Sequence, residues 1–427
     1  MRSARLFWFG AALAALLACS FGIREVRKPS AYWTSPDADT RTIYQKIQER
    51  GSALSWFATD WPLENGFYRP VSTLTFEADA WYRGKDLGSW RWTNLLLGFA
   101  ACLALLWFVW ELTRSRALAG GAGVLFGGIQ SGLWQSLGVQ YLGILAIFGT
   151  VALALAARGE WRKWLLVGSV VWLLSADLGG AWLGLDNGGV SFAERTLGWP
   201  PGRTAVVMTA FCLVSLASYC RFERDGLVGW WFASLVALLL ALGSYEQAVV
   251  APACLLGCAL VLRMRGVETC WWPHIVAWVV TIAFVVLHRS LLDSETSYRL
   301  QQARPFWGGI RDLMLVAFPS LTSIRLMPPF WTPEVGPFGL LLGATWRAIA
   351  EALFNVSSLV AARRDWALAG FGLLGSVGAY SILAFQHPFG HYFYLSAALR
   401  AVLWLALIRL VVKTAFSGGE LRGLSGH

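Results

Sequence analysis

Two aspartates, Asp37 and Asp39, stand in the segment Ser-Pro-Asp-Ala-Asp-Thr, inside a polar stretch that spans residues 23–91. A carboxylate beside a reacting hydroxyl can take its proton, so either aspartate is a candidate general base, with Asp39 slightly preferred. The same segment is also good chemistry for a turn or for the start of a helix. The residues alone do not decide whether this segment provides a catalytic base or forms a solvated turn.

Arginines in the regions that we expect outside the membrane are candidates for binding a phosphate. The planar guanidinium can bind a phosphate through two parallel hydrogen bonds. Arg69, fixed between Tyr68 and Pro70, is the first candidate, with a structural bond between loop and helix as the alternative. For the other candidate arginines, the alternative role is anchoring of the chain to lipid headgroups. They are Arg289, Arg299, Arg304, Arg311 and Arg325, of which Arg311 and Arg325 are selected as phosphate ligands.

Three further side chains, Tyr68, Glu246 and His391, are secondary candidates. Glu246 falls at the hinge between two apolar runs, where an ionisable group is costly unless it is paired or functional. Helix capping or an ion pair is its alternative role. His387 and His391 are four residues apart, but the intervening Pro388 and Gly390 spoil the spacing for a metal site. No metal site is predicted. A divalent cation that bridges an acid and a phosphate stays an open alternative, although no clear ligand set for it is visible.

The polar stretch 23–91 also carries four tryptophans, Trp33, Trp56, Trp61 and Trp81. Aromatic faces in a polar loop stack on sugar rings, and they also form the core of small loop domains. We expect the core role for these four.

The composition places the whole chain in a membrane. Of its 427 residues, 56% are hydrophobic and 14% are charged, and its mean hydropathy is +0.53. The net charge of +10 comes largely from short basic connections between apolar runs, so a nucleic-acid partner is rejected. The seven cysteines lie in or at the ends of apolar runs and form no disulfide or zinc pattern.

The apolar runs predict an all-α, polytopic protein with about twelve transmembrane helices. With the N-terminus in the cytoplasm, every inner connection is basic and the C-terminus is also cytoplasmic. The basic residues of these inner connections are Arg114, Arg116, Arg158, Arg162, Lys163, Arg221, Arg224, Arg263, Arg265, Arg363, Arg364 and Lys413. Arg2 and Arg5 before the first run also suggest a signal peptide, but a retained first helix is favoured. The runs are 6–22, 93–111, 117–134, 139–157, 162–176, 204–220, 227–243, 247–263, 273–288, 338–361, 366–385 and 391–412.

These runs divide the chain into six parts. Residues 1–22 form the first transmembrane helix and 92–288 the transmembrane core. Residues 23–91 form a large extracytoplasmic first loop with short amphipathic helices, the expected catalytic part. The rest are an extracytoplasmic loop with interfacial helices at 289–337, the last transmembrane helices at 338–412 and a cytoplasmic tail at 413–427.

Several short motifs, in order along the chain, resemble the multi-pass GT-C glycosyltransferases related to protein O-mannosyltransferases. Tyr68-Arg69-Pro70 is similar to their YRPL segment, and Thr93-Asn94-Leu95-Leu96-Leu97 to their TNLLLH segment. The chain differs at Gly98, where the family has His, and at 128–134, where the family has an H-P-x-H-x-E type segment. The further matches are the stretches beginning Ser244-Tyr245-Glu246-Gln247, Phe318-Pro319-Ser320 and His391-Tyr392-Phe393-Tyr394.

The resemblance implies a GT-C-like fold and transfer of a sugar from a polyprenyl-phosphate-linked donor to a protein, glycan or lipid acceptor. In such enzymes an acidic residue of the first loop acts as general base or orients the acceptor. The expected partners are the lipid-linked sugar, membrane lipids and an acceptor of unknown identity, with an inverting mechanism. The alternative is a non-catalytic transporter of lipid-linked sugars, or a degenerate membrane scaffold. Compact loops and the absence of organellar signals favour a bacterial inner membrane.

Overall fold

The described part of the chain is helical and contains no strand. The computed structural model describes residues 2–27, 38–139, 190–292, 305–317, 356–386 and 389–416, with scattered positions between 167 and 178. The α-helices are α1 (Arg2–Ser20), α2 (Ile23–Arg27), α3 (Ala38–Arg50), α4 (Pro70–Arg83), α5 (Trp90–Thr113), α6 (Arg116–Gln130), α7 (Leu133–Ser136), α8 (Arg203–Asp225), α9 (Val228–Leu242), α10 (Ala251–Met264), α11 (Trp272–Leu291), α12 (Phe306–Ala317), α13 (Val356–Ser381) and α14 (Tyr394–Phe416). Short helical turns cover Ala53–Phe57, Leu87–Ser89, Glu194–Gly198, Pro200–Gly202, Glu246–Val250 and Gly390–Phe393.

Six helical segments of the described chain are long and apolar enough to cross a membrane. They coincide with six of the twelve predicted apolar runs. Val228–Leu242 is apolar but shorter, and the runs 139–157, 162–176 and 338–361 lie largely outside the described residues. The six segments are Leu6–Arg27, Leu87–Thr113, Pro200–Asp225, Glu246–Met264, Trp272–Leu291 and Gly390–Lys413.

One predicted connection is part of a helix instead. The sequence places a cytoplasmic turn at Arg363 and Arg364, but α13 runs without interruption from Val356 to Ser381. Arginine is a good helix former, and neither Gly nor Pro stands near this pair to end the helix. Two charges in an apolar run therefore mark a helix end less reliably than a breaking residue does.

The long helices alternate in direction and give the bundle two ends. The end that we name the basic end contains Thr113, Asp225 and Arg265, which lie where α5, α8 and α10 finish. At this end Arg224 Nε donates to Glu111 O at 2.8 Å, and Arg265 Nη1 donates to Thr113 O at 3.3 Å. The predicted inner arginines thus meet around the last carbonyls of α5, where a helix dipole favours cations.

The opposite end, which we name the cleft end, contains the N-termini of α5 and α8 together with the first loop. Arg203, fully buried, joins these parts: its Nη2 donates to Asp79 Oδ2 and to Trp90 O (2.7 Å), and its Nε donates to Asn94 Oδ1 at 2.7 Å. Asn94 in turn donates to Trp199 O at 2.9 Å. A buried cation with this many acceptors fixes the first loop on the transmembrane helices.

The first loop has a small core of its own. Ile43 and Ile47 of α3 pack with Phe76 of α4 and with Trp56 and Trp61. The predicted core role is therefore confirmed for these two tryptophans. It is wrong for Trp81, which is 88% exposed because it lies on the outer face of α4. Trp33 lies outside the described residues.

Candidate functional site

A cleft of about 500 Å³ opens at the cleft end, between the first loop and the transmembrane helices. It brings together three of the predicted site residues, Asp39, Arg69 and His391. Aromatic rings form much of its wall. The lining residues are Asp39, Thr42, Trp61, Leu63, Asn65, Phe67, Arg69, Arg195, Trp199, Pro201, Tyr245, Phe389, His391 and Tyr392.

Arg69 lies in the wall of this cleft and is paired with Glu246. Its Nη2 donates to Glu246 Oε2 at 2.8 Å, and its Nε lies 3.1 Å from the same oxygen. The guanidinium also lies over the rings of Trp61, Phe67 and Tyr245, with Cζ 4.2–4.6 Å from their centroids. Burial alone would lower the pKa of Arg69, but attraction to the Glu246 carboxylate, assisted by neighbouring tyrosines, raises it above its ordinary value. Arg69 and Glu246 therefore form an ion pair, which agrees with the structural bond given as the alternative for Arg69 and with the ion pair given as the alternative for Glu246.

Hydrogen bonds to backbone carbonyls join the residues that follow the YRP segment to the segment that contains Glu246. Val71 N donates to Gly243 O, and Ser72 Oγ donates to Ser244 O, each at 2.9 Å. Gln247 Nε2 continues the connection by donating to Tyr392 O at 2.9 Å. Three segments that lie far apart in the sequence thus meet at one cleft.

Asp60 holds the loop that carries Trp61 and Phe67 into the cleft. Its carboxylate accepts hydrogen bonds from the backbone N–H groups of Trp61, Gly66 and Phe67 at 2.6–3.0 Å. Burial raises the pKa of Asp60, and these three donors together with the charge of Arg69 oppose the rise. This acid therefore organises the loop.

Asp39 and Arg195 provide the opposite charges that line the cleft. Asp39 lies partly exposed in the first turn of α3. Arg195 lies with its Cζ 5.0 Å from the ring of Trp199 and 5.5 Å from that of Phe389. Its Nε is buried and has no acceptor among the described residues. The cleft therefore contains a cation whose charge no described carboxylate neutralises.

His391 lies beside Arg195 in the same wall. Its ring centroid is 5.3 Å from that of Trp199 and 5.9 Å from that of Phe389. The side chain is 7% exposed, and its Nδ1 has no hydrogen-bond partner in the described chain. An imidazole nitrogen without a partner is a group that a polar ligand can satisfy.

The other predicted site residues lie elsewhere. The Tyr68 hydroxyl donates to Phe57 O at 2.9 Å, and its ring lies 5.8 Å from that of Phe284 in α11, so it supports the loop rather than the cleft. Asp37, Arg325 and His387 lie outside the described residues, as does the side chain of Arg311 on α12. Within the described ranges, no three His, Cys, Asp or Glu side chains come together as metal ligands.

Sequence reasoning missed Arg195 and Trp199. Both belong to the outer connection 177–203, which otherwise reads as a plain link between two spans. A signal was present, because Glu194 and Arg195 are a charged pair just before Trp199-Pro200-Pro201 and the next apolar run. By its position, this charged pair is as good a candidate for the site as the arginines after residue 288.

Gly98 and Gln130, both at positions where the chain differs from the family pattern, contact each other. Gln130 Nε2 donates to Gly98 O at 3.0 Å and to Cys102 Sγ at 2.7 Å, and Gln130 Oε1 accepts from the Tyr394 hydroxyl. A Cβ added at Gly98 would lie only 2.9 Å from Gln130 Oε1 and 2.9 Å from Leu197 Cδ2. The Gln130 amide therefore fills the space that a side chain at residue 98 would need.

The cleft offers a carboxylate, a cation without a counter-charge, a buried imidazole and several aromatic faces. Together these groups suit an acidic, ring-bearing ligand. No family model matches this chain, and neither a curated protein nor a solved structure matches it.

Proposed function

We propose that this protein is a membrane glycosyltransferase of the GT-C type that uses a polyprenyl-phosphate-linked sugar. The observation that carries the proposal is the cleft, where Asp39, Arg195 and His391 meet between aromatic walls. Three of the five motif segments that suggested the family, those that contain Arg69, Tyr245 and His391, also reach this cleft, whereas Phe318-Pro319-Ser320 lies outside the described residues. A sugar phosphate needs this combination of a cation for the phosphate and flat apolar faces for the ring.

In the proposed reaction, an acceptor hydroxyl attacks the anomeric carbon of the sugar from the side opposite the phosphate. The bond from that carbon to the phosphate oxygen breaks, and the lipid phosphate leaves with the electron pair. Asp39 takes the proton of the hydroxyl, and Arg195 stabilises the charge that develops on the leaving phosphate. The anomeric configuration is inverted, because only one displacement occurs.

Arg195, rather than Arg69, is assigned to the phosphate in this scheme. Arg69 is already neutralised by Glu246 at 2.8 Å, and removing it from that pair would leave a carboxylate uncompensated. Arg195 has no such partner among the described residues. His391, whose Nδ1 has no hydrogen-bond partner among the described residues, can donate a hydrogen bond to the same anion in the tautomer that carries the proton on Nδ1.

The proposal includes an orientation in the membrane. The basic end lies at the cytoplasmic face with both chain termini, as the positive-inside rule favours, and the cleft end faces the opposite side. A bacterial plasma membrane, which carries lipid-linked sugars on its outer face, is the proposed location.

The test is transfer of labelled sugar from a polyprenyl-phosphate donor by the purified protein in liposomes, with membrane extracts as acceptors. Asp39→Asn is expected to lower the rate by about 10²–10⁴-fold. Arg195→Gln is expected to lower it by about 10²–10³-fold. The matched controls are Glu49→Gln and Arg41→Gln, which change exposed charges on α3 outside the cleft lining.

Binding of the donor, measured separately, distinguishes the alternatives. An intact protein that binds the donor but transfers nothing, with Asp39→Asn unchanged in binding, would favour a carrier of lipid-linked sugars. Equal losses in the cleft variants and their controls would reject the cleft as the site.

A further inference from the structure

A second group of cations lies at the basic end, far from the cleft. Its members, which we name the arginine cluster, come from α8, the end of α10, α13 and α14. Asp365 is the buried carboxylate inside it, and this aspartate pairs with Lys413 at 2.6 Å and with Arg409 at 3.5 Å. The arginine cluster consists of Arg224, Arg265, Arg364, Arg409 and Lys413.

Arg265 is the inner member of the arginine cluster and is incompletely bonded. Its Nη1 donates to Thr113 O at 3.3 Å, but its Nε and Nη2 are buried without an acceptor among the described residues. Burial lowers the pKa of Arg265, and the nearby charges of Arg409, Arg224 and Arg364 lower it further against the opposing attraction of Asp365. The arginine cluster therefore places four other cations and one buried carboxylate, Asp365, around Arg265.

The neighbours of Arg265 do not supply the missing negative charge. Arg224 donates to Glu111 O at 2.8 Å and to Leu112 O at 3.2 Å, and backbone carbonyls carry only partial charges. The Glu111 carboxylate is already shared by Arg114 at 2.7 Å and Arg221 at 3.2 Å. Arg364 is exposed on α13, so the cluster also has an outward side that a ligand can approach.

We propose that the arginine cluster binds the phosphate of an anionic lipid headgroup at the basic end of the bundle. The cluster lies just beyond Met264, the last residue of a membrane-crossing segment, which is the depth of the headgroup layer. Guanidinium groups fit phosphate oxygens in pairs, and one phosphate supplies acceptors for several donors at once. This site requires nothing from the cleft and is independent of the proposed transfer reaction.

The experiment measures lipid binding to the full-length protein in neutral detergent. Phosphatidylglycerol, phosphatidylcholine and inorganic phosphate are titrated separately, and bound lipid is counted by native mass spectrometry. Arg265→Gln and Arg364→Gln are compared with Arg263→Gln, a matched control that is exposed at the same end and donates to Thr269 Oγ1 at 2.6 Å. The exposed Arg364 keeps the test valid should Arg265→Gln fail to fold.

We expect phosphatidylglycerol to bind in preference to phosphatidylcholine, with Arg265→Gln and Arg364→Gln each weakening it by about tenfold. Arg263→Gln is expected to change the affinity by less than about twofold. If inorganic phosphate binds with the same dependence on Arg265 while the lipid does not, the site recognises free phosphate and the lipid source is rejected. An equal loss in all three variants, or no preference between the two lipids, would overturn the proposal.

Discussion

The two ends of the bundle both hold arginines, but they hold them differently. At the cleft end, Arg69 and Arg203 are buried, and each is fixed by a carboxylate and aromatic faces. At the basic end, Arg114 and Arg221 are partly exposed and share one carboxylate, Glu111. A buried ion pair is costly to break, whereas a partly exposed arginine that shares its carboxylate with a second arginine contributes less.

The comparison predicts the largest stability loss at Asp79. Asp79→Ala removes the carboxylate beside the fully buried Arg203 and leaves that cation without its counter-charge. We expect the free energy of unfolding to fall by ~3–5 kcal/mol, measured by titration with denaturant in detergent micelles. Asp86→Ala, an exposed acid that follows the same helix, is the control. Similar losses of stability in Asp79→Ala and Asp86→Ala would contradict the prediction that the buried carboxylate is the more costly one to remove.

A smaller effect is expected at the pair of Arg69 and Glu246. Glu246→Gln keeps the shape of the side chain but removes its charge, and the free energy of unfolding should fall by about 2 kcal/mol because Arg69 stays buried. A double-mutant cycle with Arg69→Met should give a coupling energy of ~1–3 kcal/mol. Independent, additive effects would mean that the contact does not stabilise the loop.

At the basic end, Arg114→Gln should cost less than about 1 kcal/mol. Arg114 is 35% exposed, and Arg221 remains beside the shared Glu111 carboxylate after the change. The same titration measures it, with the Asp79→Ala value as reference. A loss as large as that at Asp79 would show that single charges are fixed at this end too.

The smallest predicted effect is a pH dependence at Asp60. Because burial raises the pKa of Asp60 above its ordinary value of 3.8, the folded state binds the proton more tightly than the unfolded state. The contribution of this group to stability therefore decreases as pH rises from 3.8 through the raised folded pKa. Thermal midpoints measured from about pH 4 to pH 7 should fall more steeply with pH in the intact protein than in Asp60→Asn. An equal or opposite slope would contradict the assignment.

The sequence predicted the membrane-crossing helices better than the contacts between them. Runs such as 93–111 and 273–288 carry their signal in composition, so α5 and α11 were expected almost where they lie. The turn at Arg363 was wrong, because charge alone does not stop a helix. Arg69 and Glu246 were each predicted to have a structural bond as one alternative, but not with each other. Nothing in the sequence indicates that two residues 177 positions apart are in contact.

The residues of the cleft were likewise predictable from the sequence only in part. Asp39, Arg69 and His391 were candidates by type and by resemblance, and the structure places them around one cavity. Arg195 was not a candidate, because its proposed role depends on the lack of a carboxylate partner among the described residues around it. An unpaired guanidinium is a property of three-dimensional packing and cannot be read from the residues beside it in the chain.

The contact of Gln130 with Gly98 has a consequence for how this chain can have diverged. The amide fills the space into which a side chain at residue 98 would project, so a change at either position requires an adjustment at the other. A larger residue at 98 would collide with the amide, and a small residue at 130 would leave a void among α1, α5, α6 and α14. Relatives of this chain are therefore expected to change both positions together.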